Sequence, residues 1–157
     1  MHVQAEVVLP VEARTAFQEL VRWEEQPSWM VDAARVEVVG DQREGPGVRL
    51  RVRTRVLGLL RLTDAMEVIA WDPPRRIEIQ HRGLVRGRGS WRLEPLGPGA
   101  TRFAWTEDLS LPVPVIGALL LLPYRPVMRL LMQRSLRALR RRLEGRSPEG
   151  DADRDAG

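Results

Sequence analysis

Between residues 48 and 57 apolar side chains and threonine alternate with arginine. Val48, Leu50, Val52, Thr54 and Val56 fall on one parity; Arg49, Arg51, Arg53 and Arg55 fall on the other. Successive side chains of a strand point to opposite faces, so this stretch is predicted to be a strand with one buried and one solvated side. Period two also runs through residues 3–9, 35–39, 60–71, 76–82, 86–96 and 101–111. Two other stretches carry a helical period. Ala13, Ala16, Phe17, Leu20 and Val21 predict an amphipathic helix from Val11 to Trp23. Met128, Leu131, Met132, Leu136, Leu139 and Leu143 predict a long helix from Tyr124 to Glu144, stopped at Gly145. Pro123 and Pro126 are expected to set off Val115–Leu122 as a shorter helix or kinked lead-in. Gln26–Val31 reads as one helical turn with Pro27 at its start.

From the second strand onward the connections are short and turn-like: REGPG at 43–47, Gly58, Asp72-Pro73-Pro74, Gly83 and GPGA at 97–100. Short connections favour an antiparallel meander. The expected fold class is therefore α+β, in the order strand, helix, short helix, six strands, long helix. The apolar face of the seven-stranded sheet must be covered, and only the C-terminal helix is long enough to cover it.

Length and composition narrow the picture. The 157 residues fit one domain, and 43% hydrophobic with 29% charged residues is a globular balance. Residues 1–145 are expected to form that domain, and 146–157, RSPEGDADRDAG, a disordered acidic tail. There is no cysteine, which excludes disulfides and thiol chemistry. Two histidines make a poor zinc ligand set, and neither a metal nor a cofactor is expected. All 25 basic residues are arginine, and the net charge is +4. No basic stretch precedes an apolar run at the N-terminus, so no signal peptide is expected. The longest apolar run, Val113–Pro123, is shorter than the ~20 residues a bilayer span needs. A cytoplasmic protein is expected.

Parity along the strands singles out the candidate chemistry. If Leu62, Ile79, Trp91 and Phe103 point inward, so do Asp64, His81 and Glu107. A buried carboxylate without a partner is costly. The three are therefore a polar anchor for a ligand, a general acid/base set, a satisfied structural pair, or strand-end groups brought to solvent by a bulge. Gly87 and Gly89 form a G-x-G inside a strand, without the helix a dinucleotide site needs, and read as close packing. No Walker, G-x-S-x-G or H-E-x-x-H motif occurs, and no catalytic residue is assigned. His2 is expected to be mobile. Met128 and Met132 lie on the inner face of the long helix, where methionine suits irregular volumes. Trp23, Trp71, Trp91 and Trp105 are core candidates. The outward arginines are either a contact face for an anionic membrane surface or RNA or an ordinary solvated face.

Several local strings, in order, resemble the SRPBCC superfamily, which includes START lipid-transfer domains, polyketide cyclase/dehydrase-like proteins, coenzyme Q-binding proteins and a ribosome-associating toxin. They are LPVEARTAF at 9–17, RWEEQPSWM at 22–30, WDPPRRIEI at 71–79, GRGSWRLEPLGPGATRFAW at 87–105 and SLRALRRRLE at the end of the long helix. Val11-Glu12 departs from the Ala-Pro often found before the family's first helix. The resemblance implies a helix-grip fold with a hydrophobic-ligand cavity, and it places Trp29 and Met30 at the cavity entrance. The expected ligand-binding set is Trp29, Met30, Leu50, Val52, Asp64, Met66, His81, Trp91, Phe103, Trp105, Glu107, Met128 and Met132. The expected function is binding or carriage of a lipid, isoprenoid, quinone or polyketide-like molecule. The alternatives are a cyclase or dehydratase and a surface-associating protein. The resemblance does not imply one chemistry, because one fold hosts many functions, and the oligomeric state is left open.

Overall fold

The computed structural model describes residues 1–56, 60–112 and 114–146. The expected turn at Gly58 and the tail beyond Arg146 lie outside the described residues. Seven strands form one sheet: β1 (His2–Leu9), β2 (Ala33–Val39), β3 (Arg49–Val56), β4 (Leu60–Asp72), β5 (Arg76–Arg82), β6 (Arg86–Gly97) and β7 (Ala100–Ser110). Their order is β1-β7-β6-β5-β4-β3-β2, a continuous meander from β2 to β7 with β1 added beside β7. Every neighbouring pair is antiparallel. Strand parity holds: Val48, Leu50 and Val52 are buried, and Arg49, Arg51, Arg53 and Arg55 are exposed. The outer face mixes charges, with Arg82 2.6 Å from Glu67 and Arg102 2.8 Å from Glu94. His2, expected to be mobile, lies in β1 with its ring 2.5 Å from Asp108.

Counting by twos fails within β4, and the pairing also shifts at the start of β2, between Ala33 and Arg35, and at the end of β6, between Pro95 and Gly97. The pairing shifts between Val68 and Ala70, so Ile69 is the extra residue of a bulge. Beyond it the faces exchange. Trp71 pairs with Ile77 and meets Phe17 edge-on, with ring centroids 5.2 Å apart.

Helix α1 is shorter than its period suggests, Ala13–Leu20, because a 3-10 helix takes over at Trp23–Ser28 with Pro27 inside it. Helix α2 runs from Pro114 to Glu144 without the expected break, and contains both Pro123 and Pro126. Each proline lacks the N–H that would bond the carbonyl four residues back. Both are exposed, so those carbonyls can be hydrated instead. Met132, Leu136, Leu139 and Leu143 are buried against the sheet, and this tertiary packing outweighs the local defect.

The helix packs chiefly on β1 and β7. A helix is about 10 Å wide, whereas seven strands at about 4.8 Å spacing span about 29 Å. One helix therefore leaves the inner surface of β3 to β5 partly uncovered.

The far end of α2 is tied to α1. Glu19 is 4% exposed and lies 2.5 Å from both Arg142 and Arg146. Arg146, expected to begin the tail, is thus ion-paired to α1. Removing the Arg142 side chain leaves a buried carboxylate short of a partner. Arg142→Ala is expected to cost about 2 kcal/mol. Arg140→Ala, which breaks the solvent-exposed Arg140–Glu144 pair, is expected to cost less than about 0.5 kcal/mol. Urea unfolding of the two variants checks this, and equal losses would refute it.

Candidate functional site: an apolar cavity with a buried acid–histidine–acid chain

The uncovered inner surface encloses a cavity of about 560 Å³. That volume suits a small-molecule site. Its walls are mainly apolar: Leu50 and Val52 from β3, Leu62 and Met66 from β4, Ile79 from β5, Trp91 from β6, and Met128 from α2. Three charged or titratable side chains of the sheet enter it, Asp64 from β4, His81 from β5 and Glu107 from β7. They form a chain. His81 Nδ1 is 2.9 Å from Asp64 Oδ2, and its Nε2 is 3.2 Å from Glu107 Oε2. The Trp105 indole N–H donates to Glu107 Oε1 at 2.7 Å.

Glycines make this chain sterically feasible. Strand β6 lies between β5 and β7, so His81 and Glu107 sit two strands apart, about 10 Å along the sheet. The β6 residues facing them are Gly87 and Gly89. A Cβ on Gly89 would stand 2.9 Å from Glu107 Oε1, and one on Gly83 would stand 1.8 Å from Asp64 Oδ1. With no side chains there, the imidazole and the two carboxyl groups can lean toward one another over bare backbone.

The matching family is described as "Polyketide cyclase / dehydrase and lipid transport", and it covers residues 1–144. The chain belongs to this family. Similar solved structures include the protein TTHA0849 of Thermus thermophilus, at 24% identity and TM-score 0.79, covering 94% of this chain and 99% of that one. The Zhui aromatase/cyclase of a Streptomyces species is 21% identical, at TM-score 0.75 and coverages of 96% and 98%. A START superfamily protein of Mycobacterium smegmatis is 20% identical, at TM-score 0.65 and coverages of 94% and 97%. At these identities the likeness is one of fold. No curated protein sequence matches the chain.

In this member of the polyketide cyclase/dehydrase and lipid transport family, ten of the expected site residues line the cavity: Met30, Leu50, Val52, Asp64, Met66, His81, Trp91, Trp105, Glu107 and Met128. Trp29, Phe103 and Met132 do not. Each is at most 1% exposed and packed in the core. Trp29, expected at the entrance, instead meets Trp91 and Trp105 edge-on at 6.3 and 6.2 Å. Its indole N–H is buried without a partner among the described residues. The reason is local: the 3-10 helix turns Trp29 toward the sheet and leaves Met30 to face the cavity.

Two titratable side chains of the lining escaped the sequence reading, Asp32 and Tyr124. Asp32 lies in the link between the 3-10 helix and β2, where no period exists to count. Tyr124 sits between the two prolines of α2, where a helix boundary was expected.

The electrostatics follow from burial and acid placement. Burial alone pushes the His81 imidazole down, but hydrogen bonds to Asp64 and Glu107, then their charges, more than reverse this and hold it at about 9. At neutral pH His81 is therefore protonated, and both ring nitrogens donate. Asp32 is pushed up, by burial first and then by the charge of Glu107. Tyr124 is pushed up by burial and then by Asp32. Among the described residues no cluster of His, Cys, Asp and Glu has the arrangement to hold a metal ion. No described helix is long and apolar enough to cross a membrane.

Proposed function

We propose that the protein binds or carries a hydrophobic small molecule, of lipid, isoprenoid, quinone or polyketide-like character, in the cavity between sheet and α2. The observation that carries this reading is a cavity of about 560 Å³ with mostly apolar walls. Apolar burial contributes about 25 cal/mol per Å², so enclosing ~300 Å² of ligand surface contributes about 7 kcal/mol before ordering costs. The family description, with its pairing of cyclase and lipid-transport members, supports a ligand of this kind. Native mass spectrometry of freshly purified protein is expected to show a retained apolar molecule, and a lipid and quinone panel to raise the melting temperature. A clean unliganded spectrum together with no melting shift across the panel would refute the proposal.

One observation favours a second reading. His81 is within hydrogen-bond reach of two acids inside a cavity, an arrangement able to move protons. The neighbouring aromatase/cyclase has the same fold. If the protein dehydrates or cyclises its ligand, the molecule retained by His81→Gln differs from the wild-type one by a water or a ring closure. Identical retained molecules leave binding alone.

A further inference from the structure

The protein carries 25 arginines, and among the described residues not one lines the cavity. The charged or titratable groups that do are three carboxyl groups, Asp32, Asp64 and Glu107, with His81, the Tyr124 phenol and the N-terminal ammonium of Met1. In a chain of net charge +4 this interior is the reverse of the surface. The imidazolium is fully used: one N–H goes to Asp64 and the other to Glu107. Glu107 is further satisfied by Trp105. Asp64, only 8% exposed, keeps Oδ1 without a hydrogen-bond partner among the described residues. Asp32, which enters the cavity from the link before β2, has no cation within ion-pair distance among the described residues. The His81 imidazolium and the Met1 ammonium, which donates to the Leu109 carbonyl at 2.6 Å, are therefore set against three acids in an apolar space, where uncompensated charge is expensive. Counted as ionised, the acids outnumber these cations by one.

We propose that the cavity selects ligands with an apolar body and a protonated amine head, the ammonium seated between Asp32 and the Asp64–His81–Glu107 chain, and that it rejects fatty acids and other anionic amphiphiles. This deepens the hydrophobic-ligand reading above and rests on it. An ammonium brings three donors and the missing charge. A carboxylate or phosphate head would add a like charge and find no arginine to receive it.

Three ten-carbon probes separate the inference from its foundation. Decylamine, 1-decanol and decanoate share a tail and differ in head charge. By displacement of a fluorescent apolar dye, decylamine is expected to bind about tenfold tighter than decanol, and decanoate at least tenfold weaker than decanol. In Asp32→Asn the amine advantage over decanol, both measured on the variant, is expected to fall to about twofold. Asp32 lies outside the hydrogen-bonded chain, and circular dichroism of the variant checks that it is folded. Equal binding of all three probes, or tighter binding of decanoate, overturns the amine preference and leaves the apolar cavity standing. Binding of none of them overturns both. An amine advantage that survives Asp32→Asn undiminished removes Asp32 from the seat and overturns the proposal as stated.

Discussion

His81→Gln is expected to cost about 3 kcal/mol at neutral pH and to flatten the alkaline limb of the stability profile. The imidazolium holds two buried carboxyl groups apart and satisfied. Deleting one partner of a buried ionic group leaves the others uncompensated, which costs about 3–5 kcal/mol in comparable cases. Linkage leads to the same size. The folded-state pKa of His81 is about 9 against 6.5 for the free side chain. A raised pKa means the folded protein binds the proton more tightly, so this contribution is complete below about pH 6.5 and disappears as pH climbs through about 9. A shift of that size corresponds to about 3 kcal/mol. Urea unfolding between pH 6 and 10 should therefore show wild-type stability declining and the variant nearly level. Parallel declines in the two proteins would show that the imidazole is not charged in the native state. The double variant Asp64→Asn/His81→Gln is expected to recover part of the loss, because a neutral amide pair removes one buried charge.

Trp91→Ala is the second large effect. Trp91 is 4% exposed and sits at the centre of an aromatic cluster. Its ring is 6.5 Å from Trp23, 6.3 Å from Trp29, 6.2 Å from Phe103 and 6.2 Å from Trp105. Truncating such a side chain costs about 3–5 kcal/mol, part transfer energy and part unfilled space. Trp91 also lines the ligand cavity, so the new space opens into an existing one. The expected loss is therefore near the lower end, about 3 kcal/mol, a large share of the 5–15 kcal/mol typical of a domain. Trp91→Phe keeps part of the edge contacts and is expected to lose about half as much. The two urea midpoints check this, and an alanine variant within about 1 kcal/mol of wild type would refute a central role for the ring.

Both effects depend on groups whose inward direction was legible from parity, yet their partners were not. Asp64, His81 and Glu107 each fall on the apolar side of their own strands. Their convergence depends on which strands lie between them and on Gly83, Gly87 and Gly89 standing bare at the intervening positions. The G-x-G read as close packing, and close packing it is: the β7 backbone at Asp108 lies against Gly87, and the Glu107 carboxyl group of the polar chain lies against Gly89.

The sequence by itself determined which side chains face which way along each unbulged run of strand, the meander order from β2 to β7 and the length of the covering helix's C-terminal half. These are local properties, set by a backbone repeat of two or 3.6 residues and by turn residues between the repeats. Tertiary structure alone decided the rest. It placed β1 beside β7, flipped Trp71 inward through the bulge at Ile69, and carried α2 across two prolines. It buried Trp29 and brought Asp32 and Tyr124 to the cavity wall. The cavity itself is of this second kind. It exists because one helix is narrower than seven strands, a mismatch between whole elements that no periodicity within one element records.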